Sequence, residues 1–239
     1  MAIETLLLTT TAITTFTGNQ SLTNASGFFF ENQGRLFLIT SRHVLIDKGS
    51  THFPDRIVIE LHTDQENATR SVKYSIPLYQ NGKQLWRQGV DAAGDIDVAA
   101  IEIDRTALPA EAFYATFTPE HLHEALEDIE IGTPMLVVGF PLGFHDTLHH
   151  LPVARHAINA SSFALRFQGQ GYFLTDARTH RGTSGAAVVM RSPEKGTELP
   201  WKLMGIHSAR LDVTRDTQLD EALGLNCAWF ADILPILTS

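Results

Sequence analysis

The chain has 239 residues, 44% of them hydrophobic, and its 27 acidic and 18 basic residues give a net charge of -9 at pH 7. This length and composition predict a globular protein with a sizeable buried core. The acidic balance, without any run of Lys and Arg, disfavours nucleic acid as a partner. No apolar window reaches the roughly 18 residues that a membrane helix needs, so we expect no membrane partner either.

The N-terminal stretch MAIETLLLTTTAITTF carries Glu4 in place of a basic region and has no clear cleavage site, so it predicts a first strand and not a leader. Cys227 is the only cysteine, which excludes an intramolecular disulfide and removes any need for an oxidising compartment. We therefore expect a cytoplasmic protein. In the cytoplasm the N-glycosylation sequons at Asn24, Asn67 and Asn159 would not be glycosylated.

Short runs rich in β-branched and aromatic residues recur along the chain, and turn residues separate them. In chain order they are TAITTF from residue 11, GFFF from 27, LFLITS from 36, RIVIEL from 56, DVAAIEI from 97, PMLVVGF from 134, GYFLTDA from 171, SGAAVVM from 184 and WKLMGIHSA from 201. This spacing favours an all-β protein, an antiparallel sandwich or barrel, over a βαβ fold.

Two stretches interrupt the strand pattern. Residues 109–128 contain good helix formers, and Thr118 followed by Pro119 is typical of a helix start, so we expect a linker with a short helix there. The C-terminal AWFADILPIL has apolar residues at helical spacing, and Pro235 indicates a short or broken helix.

The segment RGTSGAAVV places Ser184 between Gly182 and Gly185, directly before an apolar strand. A tight turn there can present the hydroxyl together with neighbouring backbone N–H groups, which is the setting that a nucleophile needs. Taken alone, the motif is more often an ordinary Gly-Ser turn.

His43 and Asp97 lie at the ends of other apolar runs. His43 follows the strand FLITS, and Asp97 opens the strand DVAAIEI two residues after Asp95. Alone, such a histidine is more often structural, and such a carboxylate is normally solvated. Beside each other, the carboxylate would hold the histidine in one tautomer. The order His, Asp, Ser is that of the chymotrypsin triad, so the three residues together predict a serine-nucleophile hydrolase.

At these residues the sequence resembles a known family. NASGFFF, FLITSRHVL and DVAAIEI look like segments of trypsin-like serine peptidases, and IGTPMLVVGFPLGF and TDARTHRGTSGAAVV are similar to the bacterial high-temperature-requirement (Deg) branch. The resemblance implies two six-stranded antiparallel β-barrels of chymotrypsin type. We expect one barrel in residues 1–108, the linker helix in 109–128, and the second barrel with a terminal helix in 129–239.

The resemblance also implies the catalytic roles of a serine endopeptidase. Ser184 would be the nucleophile, His43 the general base and Asp97 the residue that orients the base. The N–H groups of Gly182 and Ser184 would bind the oxyanion. Asp95 competes for the acid role, but Asp97 stands in the register of the family strand.

The cleft-lining strand GIHSAR suggests a substrate preference. Thr179, together with His207 and Ser208, resembles the pocket of glutamyl endopeptidases and of viral chymotrypsin-like main proteases, which bind Glu or Gln at P1, the residue whose carbonyl is cleaved. The Deg resemblance alone implies Val, Ala or Leu at P1 instead. Three arginines near this pocket would favour Glu over Gln if any of them points inward: Arg178, Arg181 and Arg210.

Thr183 departs from the family pattern, which has Asp or Asn immediately before the serine. The activation switch of trypsin, in which a new N-terminal amine pairs with that acid, is therefore not expected. The implied partners are a protein or peptide substrate and a regulatory protein of unknown identity.

Two other readings stay open. The same fold could serve as an inactive binding or scaffold module. A metal-dependent hydrolase is the second alternative, since the chain has 11 histidines, among them His121, His123, His149 and His150. Their spacing does not match HExxH or another common metal motif, so we expect no metal and no cofactor.

Overall fold

The computed structural model describes residues 3–123, 125–192, 197–211 and 224–239, and most of the regular structure is β-strand. The strands are β1 (Thr10–Thr17), β2 (Gln20–Asn32), β3 (Arg35–Thr40), β4 (Arg56–His62), β5 (Ser71–Pro77), β6 (Tyr79–Gln80), β7 (Lys83–Gln84), β8 (Trp86–Asp91), β9 (Gly94–Ile103), β10 (Pro134–Gly139), β11 (Val153–Asn159), β12 (Tyr172–Asp176), β13 (Ala187–Arg191), β14 (Trp201–Arg210) and β15 (Leu225–Phe230).

Helices in these ranges are short. The α-helical turns are α1 (Thr5–Leu8), α2 (Arg42–Leu45) and α3 (Leu234–Leu237). The 3-10 turns are Arg105–Ala107, Pro119–His121, Leu126–Asp128, Pro141–Gly143, Phe167–Gly169 and Ala231–Ile233. None of the helices described is long and apolar enough to cross a membrane.

The N-terminal half forms one antiparallel sheet in the order β5-β4-β1-β2-β3-β9-β8. The predicted apolar runs supply its central strands, because β-branched and aromatic side chains suit a pleated, packed surface. In β3 the five residues after Arg35 are all buried, so other parts of the protein pack against both faces of this strand. Its last residue, Thr40, leads directly into α2 and His43.

The C-terminal half forms a closed six-stranded barrel in the order β10-β11-β12-β15-β14-β13. β13 closes it by pairing with β10, where Val137 lies opposite Val188. Aromatic rings fill the interior, with the ring centroid of Phe163 lying 4.6 Å from that of Phe173 and 4.9 Å from that of Phe230. The predicted chymotrypsin-like barrel is therefore confirmed for this half.

A six-stranded barrel is not confirmed for the N-terminal half. Its sheet has seven strands, and within the described residues β5 and β8 are edge strands that do not pair with each other. β6 and β7 form a separate two-stranded hairpin. The N-terminal stretch also departs from prediction, because α1 precedes the first strand and buries Leu6 and Leu8.

The short helix expected in residues 109–128 takes the form of 3-10 turns in the described part of this range. One turn is Leu126–Asp128. Thr118 begins the other, Pro119–His121, as the sequence predicted, and forms a capping box there. It ends because Leu122 is extended and bridges to β14. Phe117 is fully buried and exchanges backbone hydrogen bonds with β2, so tertiary burial outweighs the local helix propensity.

One apolar cluster joins the two halves. It combines Phe28 and Phe37 of the N-terminal sheet with Val189 and Ile206 of the barrel, and each of these side chains is fully buried. The strand ends that carry the candidate site residues therefore meet at a packed seam. Burial on this scale holds the two sheets in one relative position.

Candidate active site

His43 lies in α2, the single helical turn that follows β3. Its backbone N–H donates to Asp97 Oδ1 at 2.8 Å, and its Nδ1 lies 2.7 Å from Asp97 Oδ2. Asp97 reaches it because β9 pairs with β3, where Thr40 lies opposite Ala99. A carboxylate only accepts hydrogen bonds, so Nδ1 carries the proton and Nε2 of the neutral ring is left as an acceptor.

Asp97, and not Asp95, is the acid beside the histidine. Asp97 also accepts a hydrogen bond of 2.5 Å from Ser208 Oγ, and its side chain is mostly buried. Asp95 instead lies 3.9 Å from Arg42 and is more than half exposed. The Ser208 hydroxyl, expected to line the substrate cleft, is thus committed to Asp97.

The contact between His43 and Asp97 shifts both pKa values. Burial acts to lower the pKa of His43, but the hydrogen bond and charge of Asp97 outweigh it and raise the pKa above its ordinary 6.5. Burial acts to raise the pKa of Asp97, but the hydrogen bonds from His43 and Ser208 and the charge of His43 lower it. The pair therefore favours an ionised Asp97, which stabilises the imidazolium form.

Ser184 lies in the tight turn that precedes β13. Its Oγ donates to Ser208 O at 3.1 Å, and the described hydrogen bonds include none between Ser184 and His43. Gly185 has φ of +84°, and a Cβ there would lie 2.2 Å from the Ser26 carbonyl oxygen. Only glycine fits, which explains the Gly that follows the serine.

The backbone before Ser184 presents two free donors. Arg181 O accepts a hydrogen bond of 2.5 Å from Leu142 N. In a trans peptide the next N–H points the opposite way, so the Gly182 N–H faces away from Leu142. In the described residues neither the Gly182 N–H nor the Ser184 N–H donates to any group. Two unpaired N–H groups beside a serine hydroxyl can stabilise an oxyanion.

Ser26 braces this turn. Its Oγ donates to Gly182 O at 2.8 Å and accepts from Phe140 N at 2.9 Å, and its backbone N–H donates to Ser184 O at 2.9 Å. The sequence reasoning missed this role. The signal available was a serine inside the apolar segment NASGFFF, where a hydroxyl needs a partner once it is buried.

Thr183 stabilises the turn through hydrogen bonds to His180. Its Oγ1 donates to His180 O at 2.8 Å, and its backbone N–H donates to the same oxygen at 3.2 Å. The side chain is buried, with 1% of the residue exposed. Thr183 thus makes a local contact in the position where the family has an acid or an amide.

The trypsin-like peptidase domain family matches residues 25–194, a range that includes His43, Asp97 and Ser184. The chain belongs to the trypsin-like peptidase family. The predicted resemblance is thereby confirmed.

This trypsin-like peptidase also shares its fold with a solved structure, the serine endoprotease from Yersinia pestis, at a TM-score of 0.53 and 17% sequence identity. The match covers 95% of this chain and 60% of that protein, so the present chain spans less than two thirds of it. No curated protein matches the sequence.

In this trypsin-like peptidase, His207 of the predicted P1 pocket lies next to the turn that carries Ser184. His207 O accepts from Gly185 N at 2.8 Å, and His207 N donates to Ala186 O at 2.9 Å. Thr179 and His207 are both buried, and Thr179 Oγ1 donates to Asn226 Oδ1 at 2.5 Å. Asn226 was not predicted, although an amide within the apolar strand LNCAWF was a signal for it.

Burial lowers the pKa of His207 to about 4, with a smaller contribution from the charge of His43. The imidazole is therefore neutral at physiological pH, and its Nδ1 has no hydrogen-bond partner among the described residues. Arg178 and Arg181 are exposed, and the side chain of Arg210 lies outside the described part of the chain.

The histidines that suggested a metal site make separate contacts with different residues. His121 Nδ1 accepts from the Thr118 N–H at 3.0 Å, and His149 Nδ1 lies 2.7 Å from Asp146 Oδ2. His150 lies 3.8 Å from Glu60. Across the described ranges, no group of three or more His, Cys, Asp or Glu side chains is placed to hold a metal ion.

Proposed function

We propose that the chain is a serine endopeptidase in which Ser184, His43 and Asp97 form the catalytic triad. The observation that carries the proposal is the 2.7 Å contact between His43 Nδ1 and Asp97 Oδ2. It leaves Nε2 of the neutral ring unprotonated and able to act as the base. The N–H groups of Gly182 and Ser184, which have no partner among the described residues, support the same assignment.

The reaction would follow the chemistry of this arrangement. The Ser184 hydroxyl leaves Ser208 O, gives its proton to His43 Nε2, and its oxygen attacks the substrate carbonyl carbon. The carbonyl oxygen becomes an oxyanion held by the N–H groups of Gly182 and Ser184. His43 then gives the proton to the leaving amine. A water molecule, deprotonated by His43, hydrolyses the resulting acyl-enzyme.

A fluorophosphonate probe, which reacts covalently with activated serines, tests the assignment. We expect labelling of the wild-type protein that is lost in Ser184→Ala, together with cleavage of a peptide library by the wild type alone. Activity that persists in Ser184→Ala would contradict the nucleophile. Activity that survives in Asp97→Ala but is lost in Asp95→Ala would assign the carboxylate that orients His43 to Asp95.

A second candidate is an inactive binding module with the same fold. The observation that favours it is the Ser184 hydroxyl, which donates to Ser208 O and not to His43. Catalytic hydrogen bonds are often absent before substrate binds, so this geometry is compatible with an enzyme as well. Folded protein that never labels with the probe and never cleaves the library would establish the module.

We further propose that the P1 side chain is Glu or Gln and contacts Thr179 and His207. Both residues are buried, and His207 pairs with the residues that directly follow Ser184. A scan of P1 residues in matched fluorogenic peptides tests this. We expect cleavage after Glu or Gln, reduced in His207→Ala while Ser184 still labels. Cleavage only after Val, Ala or Leu would exclude it.

The boundaries at residues 1–108, 109–128 and 129–239 stay predictions, as does a barrel formed by the N-terminal sheet. A cytoplasmic location and a regulatory protein partner are likewise proposals. Fractionation of the native cell and co-purification with the Ser184→Ala protein would test the last two.

A further inference from the structure

Buried polar side chains gather at the end of the barrel beside the nucleophile. Thr175 of β12 lies opposite Asn226 of β15, and His207 of β14 lies opposite Ala228. Residues two apart on a strand share a face, so Asn226 and Ala228 point to the same side. Thr175, His207 and Asn226 therefore share one face of the barrel wall, and Thr179 reaches it through its hydrogen bond to Asn226.

Two atoms of this cluster have no partner. Thr175 Oγ1 and His207 Nδ1 make no hydrogen bond within the described residues, although Thr175 is 0% and His207 2% exposed. Buried polar groups are nearly always paired in folded proteins, and exceptions call for an explanation. A polar side chain of a ligand, entering this end of the barrel, would explain these two unpaired atoms.

Asn226 has one possible orientation. Its Nδ2 donates to Ala177 O at 2.8 Å and to Gly224 O at 3.0 Å, so the amide nitrogen faces carbonyl oxygens. The amide oxygen Oδ1 must then face Thr179 Oγ1, 2.5 Å away. Because Oδ1 only accepts, the Thr179 hydroxyl donates its single proton to Asn226 and offers only lone pairs to a third group.

We propose that Asn226, by holding the proton of the Thr179 hydroxyl, makes the P1 pocket select Gln over Glu. The inference rests on the proposed serine endopeptidase and its P1 pocket. A Gln side chain brings an NH₂ donor for Thr179 Oγ1 and an oxygen acceptor for the one N–H of a neutral His207. A Glu carboxylate brings only acceptors and meets the lone pairs of Thr179.

The charges nearby support the same choice. Arg178 and Arg181 are exposed, so neither neutralises a carboxylate inside the pocket, and neither meets the condition under which it would favour Glu; the side chain of Arg210 lies outside the described part of the chain. Burying a carboxylate without a counter-charge is strongly unfavourable, whereas an amide needs only hydrogen bonds.

The test compares kcat/KM for two fluorogenic peptides that differ only in Gln or Glu at P1, at neutral pH. For the wild type we expect Gln to exceed Glu by about tenfold or more, because sites built for a polar partner reject analogues with the wrong donors. In Asn226→Ala the Thr179 hydroxyl is free to donate, and we expect the Gln/Glu ratio to fall by about three- to tenfold, the value of one hydrogen bond.

Thr179 provides a second pair of variants in case Asn226→Ala does not fold. Thr179→Val removes the hydroxyl and should lower the rate for Gln more than the rate for Glu. Thr179→Ser keeps the hydroxyl and should keep the Gln preference. Circular dichroism and fluorophosphonate labelling of Ser184 confirm that each variant is folded and competent.

The outcomes separate this inference from the proposed function. A wild-type preference for Glu, or a Gln/Glu ratio that Asn226→Ala and Thr179→Val both leave unchanged, overturns the role of Asn226 and leaves the endopeptidase standing. Labelling of Ser184 with cleavage after neither residue overturns the P1 pocket as well. A folded protein that does not label removes the endopeptidase and this inference together.

Discussion

The turn at Gly182–Ser184, which we propose binds the oxyanion, is held by the buried hydroxyl of Ser26, so Ser26→Ala is a demanding test of the site. Ser26 is fully buried and joins Gly182 O to Phe140 N, partners that lie 156 and 114 positions away in the sequence. Space around it is tight, since a Cβ built on Gly139 would lie 2.6 Å from Ser26 Oγ. Alanine would remove the oxygen with little change in volume.

The expected loss follows from these two hydrogen bonds. Each buried group left unpaired costs about 1–3 kcal/mol, so for two such groups we expect the free energy of unfolding to fall by about 2–6 kcal/mol. For a protein of this size that corresponds to a Tm lower by roughly 4–24 °C. Gly182 also loses the contact that positions its N–H, and complete loss of an oxyanion donor costs about 10²- to 10³-fold in kcat. We expect about a tenfold fall in kcat, with little change in KM.

Calorimetry and steady-state kinetics on one peptide substrate measure both effects. Thr15→Val is the matched control, because Thr15 is also fully buried and its Oγ1 accepts from Thr23 N at 3.0 Å, away from the oxyanion turn. The control should lower Tm and leave kcat unchanged. If Ser26→Ala lowers Tm but has the kcat of the control, Ser26 does not position the oxyanion donor. If its Tm is unchanged, the account of the buried hydrogen bonds is wrong.

Two further predictions concern the same site and a third concerns the barrel. Activity should rise with pH through the pKa of His43, which lies above 6.5, because the base must be neutral. Asp97→Asn should shift this rise in the pH profile of kcat/KM to lower pH and reduce kcat by about 10⁴-fold. A rise that stays at the same pH would contradict the coupling between Asp97 and His43. Gly185→Ala should unfold the turn or destabilise the protein by about 3 kcal/mol or more in urea denaturation, since its Cβ would overlap Ser26 O; wild-type stability would refute the close approach. Cys227 is buried and burial raises the pKa of its thiol to about 11, so maleimide should label it slowly in native protein and quickly in urea; fast native labelling would disprove this.

Strand positions were largely readable from the sequence. Each run of β-branched and aromatic residues overlaps a strand, from TAITTF in β1 to WKLMGIHSA in β14. Two of the missed strands, β5 and β8, have weaker patterns. β5 reads SVKYSIP and β8 reads WRQGVD, with polar or glycine residues at positions that the sheet leaves exposed or half-buried. A strand at a sheet edge needs fewer apolar residues, so its local signal is weak. Two others, β11 and β15, belong to the closed barrel, and β15 includes the start of the segment AWFADILPIL that was expected to be helical.

The local chemistry of the catalytic candidates was also readable. The glycines around Ser184 and the strand end before His43 are local features, and backbone sterics impose them wherever the chain folds. Asp97, expected to open its strand, lies inside β9, which begins at Gly94. The preference for Asp97 over Asp95 came from the resemblance to the family strand, in which Asp97 and Ala99 stand in the matching positions. The structure places His43 beside Asp97 because β9 and β3 pair with Thr40 opposite Ala99.

Only the tertiary structure decided the rest, because its determinants are contacts between distant segments. In the described part of residues 109–128 the helical structure is limited to 3-10 turns, and Phe117 is buried against β2. Ser26 becomes part of the turn that carries Ser184, and Asn226 fixes the Thr179 hydroxyl from 47 positions away. The direction of a hydroxyl proton depends on which acceptor lies beside it after folding, and no local pattern in the sequence contains that information.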